Sequence, residues 1–428
     1  MRLEGKSVLL GVTGGIAAYK APEIVRSLRQ RGARVRVVLT QSALEFVTPL
    51  SLQTVSGEKV STSLFDLGQE SEIGHIQLAD GADVVLIAPA TANVIGKCAA
   101  GLADDLLTTI LLATRAPVVV APAMNVHMYE NSLVQENLSR LAGRGWRIVE
   151  PDVGSLACGY EGLGRLPDPN VLLEEVSAAL APDDFARETV LITAGPTREP
   201  IDPVRFVSNR SSGKMGFALA RAAARRGARV VLVTGPTSLA DPRHVRTVRV
   251  ETAEEMARVV RGEARAATVV IAAAAVADFR PSRPAKEKAP KKKGRSTLEL
   301  EATPDVIATA VPRGPGRVVV GFAAETTDLI ERARGKLERK ALDLIVANDV
   351  TAAGAGFDVE TNLVTLIDRA GTEALPLQGK DEVADAILDR VARLRTSRQR
   401  GQAPSTRPRV SRSAGRAGRR VQGRLQRR

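Results

Sequence analysis

Short apolar runs bounded by glycine alternate along the chain with stretches whose apolar positions recur at helical spacing. Ser7–Val12 reads Ser-Val-Leu-Leu-Gly-Val, which has the length and composition of a buried strand. The tripeptide Thr13-Gly14-Gly15 predicts a tight turn. Residues 18–31 predict a helix stopped by Gly32, and residues 35–40 the next strand. Apolar runs at 83–88 and 117–121 flank a helical stretch at Leu106–Ala113. Strands alternating with helices in this way predict a parallel sheet with right-handed crossovers.

A helix over 170–184 ends in Ala-Pro-Asp-Asp, and the pattern then restarts. Residues 189–195 predict a strand, 213–226 a helix and 229–235 a second strand. Arg31-Gly32-Ala33-Arg34-Val35 recurs as Arg226-Gly227-Ala228-Arg229-Val230, but the flanking loops differ, so this is shared helix-to-strand chemistry rather than a repeat. The Lys- and Pro-rich segment 281–295 predicts a mobile loop. Strands at 297–300 and 363–367 and a helix at 382–394 complete the pattern. The expected class is α/β: two doubly wound parallel-sheet domains, 1–180 and 188–395, joined by a linker at 181–187 and followed by a disordered tail at 396–428.

Composition sharpens this picture. Aromatics make up 3% of the 428 residues, so the cores must be Val, Leu, Ile and Ala, as in buried parallel sheets. Cys98 and Cys158 cannot make a disulfide framework, and three histidines are too few for a zinc cluster. No signal-peptide pattern precedes Gly11, and no run approaches the ~20 apolar residues of a membrane span, so a cytoplasmic enzyme is expected. The net charge of +13 is concentrated in the tail: residues 396–428 hold eleven arginines and no other charge, leaving 50 basic against 48 acidic residues elsewhere. Rich in Gly, Ser, Gln and Pro as well, that tail predicts a solvated extension, with contact to RNA or acidic partners as the alternative.

The glycine spacing is not G-x-G-x-x-G, and Thr40-Gln41-Ser42 replaces the acidic residue that would bind a dinucleotide ribose. Hydroxyls with main-chain amides suit a phosphate monoester, as in flavin mononucleotide, although a plain tight turn fits the same residues. Ala88-Pro89-Ala90-Thr91-Ala92-Asn93 and Pro122-Ala123-Met124-Asn125-Val126-His127-Met128 both follow strands, at the edge where ligands bind in such sheets. Leu156-Ala157-Cys158-Gly159-Tyr160-Glu161-Gly162 suggests a flexible flap. In isolation each also reads structurally, as a Met-rich core turn, a buried cysteine or an ordinary histidine at position 75.

Taken together, Gly14-Gly15-Ile16-Ala17-Ala18-Tyr19-Lys20, His75, Pro122 to Met128 and Ala157-Cys158-Gly159 resemble the flavin-dependent phosphopantothenoylcysteine decarboxylases. The stretch from Gly195-Pro196-Thr197-Arg198-Glu199-Pro200 through Ser208-Asn209-Arg210-Ser211-Ser212-Gly213 resembles phosphopantothenate–cysteine ligases. The chain up to about residue 394 is thus similar to the bifunctional bacterial enzymes of coenzyme A biosynthesis, which implies a flavodoxin-like domain followed by a Rossmann-like one.

For the first half the resemblance implies a flavin that oxidises the substrate thiol to a thioaldehyde, supplying the electron sink for loss of carbon dioxide. It implies His75 as the base in thiol oxidation, Asn125 as the carboxylate-binding residue and Cys158 as the proton donor to the resulting enethiolate. Gly14, Gly15, Ser42, Ala90, Thr91 and Met124 are the implied FMN contacts.

For the second half it implies activation of 4′-phosphopantothenate by CTP with Mg²⁺, then attack of the L-cysteine amine on an acyl-cytidylate. No P-loop is present, so the triphosphate must be held otherwise, and the lysines scattered through this half offer that alternative. Lys288 is the implied essential lysine, and Lys336 and Lys340, at i and i+4 on one helix face, the implied triphosphate contacts. Ala272, Ala273, Ala274, Asp278, Thr303, Pro304, Asp305, Val306 and Phe322 are the implied nucleotide-binding positions, with Asn209 and Arg205 at the acyl-cytidylate. The family's Lys-Ile-Lys-Lys loop is here Lys288-Ala289-Pro290-Lys291, so Lys291 to Lys293 compete with Lys288 for that role. Metal ligands are not legible. A dodecamer is the implied assembly. Two other readings stay open from sequence: a decarboxylase with a non-ligating second half, and a nucleic-acid binder acting through the tail.

Overall fold

The computed structural model describes residues 3–64, 74–155, 159–288, 297–312, 314, 316–325, 328–349, 354, 356 and 358–402. In the first half, five parallel strands lie in the order Arg34–Leu39, Ser7–Val12, Val84–Ala90, Val118–Pro122, Arg147–Ile148. Alternation along Ser7–Val12 builds both cores. Val8, Leu10 and Val12 pack with Ile24, Leu28, Leu172 and Val176 on one face, while Leu9 packs with Val94, Ile95, Leu107 and Ile110 on the other. Each such side chain is fully buried, worth about 1.5–3 kcal/mol apiece, which is why the apolar runs read so clearly. The helix Leu106–Ala113 starts at a capping box: Thr108 N–H donates to Asp105 Oδ1 at 2.8 Å, and Asp105 N–H donates to Thr108 Oγ1 at 3.2 Å.

The second half contains an eight-stranded sheet, ordered Val245–Arg249, Arg229–Thr234, Thr189–Ala194, Val269–Ala272, Val318–Glu325, Leu344–Asp349, Val364–Asp368, Thr372–Ala374. The first six are parallel, and the last two run antiparallel at one edge, a departure from the purely parallel expectation. Val190 and Ile192 join Phe217, Leu219, Ile387 and Leu388 on one face, and Leu191 joins Met256, Val260 and Leu337 on the other. The expected linker carries Phe185, which is buried in this second core under the Arg226 guanidinium, 4.9 Å from its ring centroid.

Three expectations need correction. The strand expected at 297–300 is Leu300–Ala302, and it pairs with Phe279–Pro281 in a small exposed hairpin outside the main sheet. Of the expected flap, Glu161 and Gly162 belong to the strand Glu161–Arg165, paired with Asp152–Ser155. The disordered tail does not begin at 396. The last helix is Lys380–Gln402, and within it Arg395 pairs with Glu188, while Arg398 pairs with Asp343 and donates to the Arg317 carbonyl. Arginine is a good helix former, and these two meet acidic groups of the body. The rest of the expected tail, from residue 403, lies outside the described residues, as do 289–295 of the expected loop.

Candidate active sites

In the first half four strand ends converge. The hydroxyl of Thr13, fully buried, donates to the Pro89 carbonyl at 2.7 Å and accepts from Thr91 N–H at 3.0 Å, so one side chain ties the loops after two strands together. Ala123 N–H donates to the Ala90 carbonyl at 3.0 Å, and Met124 N–H donates to the Gly164 carbonyl at 3.0 Å, adding the next loop and the hairpin. Gly14 lies against Ser42: a Cβ there would stand 2.3 Å from the Ser42 Cβ, so the two expected phosphate loops touch only because this residue is glycine. Beside them the buried Thr40 Oγ1 has no hydrogen-bond partner among the described residues. Glycine main chain, an orphaned hydroxyl, Ser42 and Thr91 form a donor set that fits a flavin phosphate.

Asn125 N-caps the helix Val126–Glu130, its Oδ1 accepting from His127 N–H at 2.8 Å. Tyr160 packs edge-on against His127 with ring centroids 5.0 Å apart, and a Cβ at Gly162 would stand 2.7 Å from Val126 Cγ2. The hairpin therefore lies directly on the Asn125 segment. Cys158, expected between its strands, lies outside the described residues. His75 stands half-buried on Gly74–Asp80, a helix packed on Leu106–Ala113, with no hydrogen bond to these loops among the described residues.

The second half holds a cavity of about 580 Å³ lined by Asn209, Ala272, Ala273, Ala274, Asp278, Thr303, Pro304, Asp305, Val306, Phe322, Lys336 and Lys340. These positions are far apart in sequence and meet at the carboxyl ends of the parallel strands. Asn209 Nδ2 donates to the Val276 carbonyl at 2.8 Å, and Lys336 Nζ donates to the Phe322 carbonyl at 2.8 Å. Lys340 Nζ lies 2.8 Å from Asp305 Oδ2. Burial pushes the Asp305 carboxyl up, but Lys340 and the N–H groups of Ile307 and Ala308 outweigh it and hold it below its usual range.

Two expected residues do not line this cavity. Arg205 pairs through Nε with the buried Asp202 at 2.8 Å. Lys288 is exposed, at the edge of the segment outside the described residues. The cavity also has lining that the sequence did not single out: Lys214, Lys380, Asn348 and Asn362. Lys380 is buried and donates to the Gly356 carbonyl at 3.1 Å; burial first, and then Lys214, lower its pKa. Asn348 Oδ1 and Asn362 Oδ1 are buried without partners among the described residues. Isolated in sequence, none of these four carries a local motif; sheet topology alone brings them here. Among the described residues no group of three or more His, Cys, Asp or Glu could hold a metal ion, and no helix is long and apolar enough to cross a membrane.

Residues 1–181 match the Flavoprotein family, and residues 185–394 match the family described as DNA/pantothenate metabolism flavoprotein C-terminal domain. The chain is 50% identical over 389 residues to the coenzyme A biosynthesis bifunctional protein CoaBC of Vibrio cholerae, covering 90% of this chain and 98% of that one. It is 48% identical over 410 residues to the protein of the same name from Bacillus subtilis, covering 94% and 99%. Among solved structures, the C-terminal domain of a CoaBC protein is 42% identical, with a TM-score of 0.44, over 50% of this chain and 99% of that one. An FMN-dependent cysteine decarboxylase, SpaF, is 33% identical, with a TM-score of 0.36, over 41% and 99%. With both halves matched in order and nearly the whole length of each relative covered, this chain belongs to the CoaBC family of bifunctional coenzyme A biosynthesis proteins, a phosphopantothenoylcysteine decarboxylase half followed by a ligase half.

Proposed function

We propose that the second half joins L-cysteine to 4′-phosphopantothenate at the expense of CTP and Mg²⁺, and that the first half, carrying FMN, decarboxylates the product to 4′-phosphopantetheine. The observation that carries this reading is the single cavity that gathers Asn209, Asp278, Phe322, Lys336 and Lys340 from across the second half.

In the ligase half, Lys336 and Lys340 hold the triphosphate and offset the charge that develops as pyrophosphate leaves. Lys288, on the neighbouring exposed segment, adds a further cation. Asn209, its amide already fixed on the Val276 carbonyl, presents its remaining polar atom to the acyl-cytidylate. Mg²⁺ enters with the triphosphate.

In the decarboxylase half, Gly14, Gly15, Ser42, Ala90, Thr91 and Met124 hold the flavin, with the Thr40 hydroxyl at its phosphate. When bound, FMN supplies the two-electron acceptor and donor that a cysteine-derived carboxylate needs in order to leave. His75 takes the thiol proton. Asn125 orients the carboxylate with a neutral amide, which does not stabilise its charge against departure. Cys158 gives a proton to the enethiolate carbon.

The chain works in the cytoplasm as a homo-oligomer, with a dodecamer as the proposed assembly; light scattering of the purified protein measures it. Incubation with 4′-phosphopantothenate, cysteine, CTP and Mg²⁺, followed by mass analysis, tests both activities at once. 4′-Phosphopantetheine is the expected product. Accumulation of 4′-phosphopantothenoylcysteine would remove the decarboxylase reading, and recovery of untouched 4′-phosphopantothenate the ligase reading.

A further inference from the structure

Where the two halves meet lies a second cavity, of about 200 Å³, separate from both sites. Its lining contains five arginines and one histidine against three carboxylates. Arg31 and Arg147 come from the first half, and Arg225 and Arg243 from the second. Much of this charge is spoken for. Glu175 accepts from His244 at 3.0 Å and lies 3.6 Å from Arg147, Arg221 meets Asp381 at 2.8 Å, and Arg225 meets Asp385 at 2.7 Å. Arg31 and Arg243 have no carboxylate partner among the described residues.

The same lining contains three buried polar atoms with no hydrogen-bond partner among the described residues: Arg147 Nε, Arg225 Nε and Ser177 Oγ, the serine being 1% exposed. Two guanidinium N–H groups and a hydroxyl are donors awaiting an acceptor. A ligand that supplies acceptors to these buried donors would relieve their unmet hydrogen bonds. The two unpaired arginines add charge, and guanidinium forks match oxyanions in geometry. The volume lies below the ~300–1,000 Å³ of pockets for drug-sized ligands, so it has no room for a nucleotide.

We propose that this junction binds a small, multiply charged oxyanion of the phosphate class, held from both halves at once by Arg31, Arg147, Arg225, Arg243 and Ser177. Two sources share that chemistry: free orthophosphate and the pyrophosphate released by ligation, the second resting on the ligase reading above.

Equilibrium dialysis of the full-length, flavin-loaded protein against ³²P-orthophosphate and ³²P-pyrophosphate, at ionic strength fixed with KCl, tests this. Wild type should retain one equivalent per chain that the Arg31→Gln/Arg243→Gln variant loses or binds at least tenfold more weakly, while its ligation rate stays unchanged. Arg31→Lys/Arg243→Lys should recover part of the affinity. Preference for pyrophosphate would identify the ligation product as ligand, and equal binding would identify the free ion. Should the glutamine pair fail to fold, Ser177→Ala, expected to bind several-fold more weakly, is read in the same way. Identical stoichiometry and affinity in wild type and variants would overturn the proposal. The ligase reading is judged separately by product formation.

Discussion

Lys340 and Asp305 face each other across 2.8 Å at the wall of the second-half cavity, and Asp305 simultaneously caps the helix Val306–Ala310. Both side chains are about one-third exposed, so as a salt bridge the pair is worth only about 0–1 kcal/mol. If the lysine serves a triphosphate, function and stability separate. Lys340→Gln should move the melting temperature by no more than a degree or two while lowering ligation kcat/KM roughly tenfold to a hundredfold. Equal losses in both would make the pair structural. Decarboxylation of supplied 4′-phosphopantothenoylcysteine should be unaffected.

Thr13 and Thr40 offer a matched contrast. The Thr13 hydroxyl has partners on both sides, so Thr13→Val strands the Thr91 N–H and leaves the Pro89 carbonyl with the longer bond from the Thr13 N–H at 3.3 Å. That should cost about 1–3 kcal/mol and lower the melting temperature of the flavin-free protein by several degrees. The Thr40 hydroxyl has no partner among the described residues, so Thr40→Val should leave flavin-free stability within about 0.5 kcal/mol while weakening flavin binding about tenfold. Fluorescence titration with FMN and thermal melts of the stripped protein distinguish the two.

The His244–Glu175 contact joins the halves and sets a pH window. Glu175 raises the His244 pKa above 6.5, chiefly through their hydrogen bond, against burial, Arg243 and Arg147. Burial pushes Glu175 up, but His244, Arg147 and Arg243 outweigh it and hold it below 4.5. A raised histidine pKa gives stability that is complete below the unfolded value and lost as pH rises through the folded one. A depressed carboxyl pKa gives stability present above its unfolded value and lost as pH falls through the folded one. The contribution should therefore be largest between about pH 4.5 and 6.5 and fade above it. His244 has φ +58°, which asparagine tolerates, so His244→Asn removes the imidazole without adding strain. The melting-temperature gap between wild type and this variant should be greatest near pH 5.5 and close to zero at pH 9.

Truncation locates the true end of the folded body. Ending the chain after Gln402 should leave melting temperature and both activities unchanged. Ending it after Arg395 removes Arg398 and, among the described residues, leaves the nearly buried Asp343 carboxylate with the Val319 N–H at 2.8 Å. That shorter chain should melt several degrees lower, in proportion to the loss of a hydrogen bond to a charged group.

What was legible in the sequence follows from how local each signal is. Ser7–Val12 and Thr189–Ala194 stand out because both sheet faces are buried, so nearly all their interior positions are apolar. The loop ends of such strands form the ligand edge, where Gly14 and Thr91 lie, whereas Asn209 and Lys340 were expected from the family resemblance alone, and both line the second-half cavity. Asn348, Asn362 and Lys380 could not be named in advance, since each is a lone polar residue brought to the cavity by strand order. Residues 396–402 read as solvated for the opposite reason: their composition is arginine-rich, and the aspartate that receives Arg398 lies far back in the chain.

The borders of the two sheets bear on how copies of this chain can meet. One ends in the three-residue strand Thr372–Ala374 and another in the two-residue strand Arg147–Ile148. The remaining two, Arg34–Leu39 and Val245–Arg249, each carry two arginines, of which Arg34 is paired with Glu58, Arg246 with Glu263 and Arg249 with Asp241. Brevity and charge are how natural sheets refuse a further strand. Among the described residues, the borders of the two large sheets are thus poor places to add a further strand from another copy of the chain.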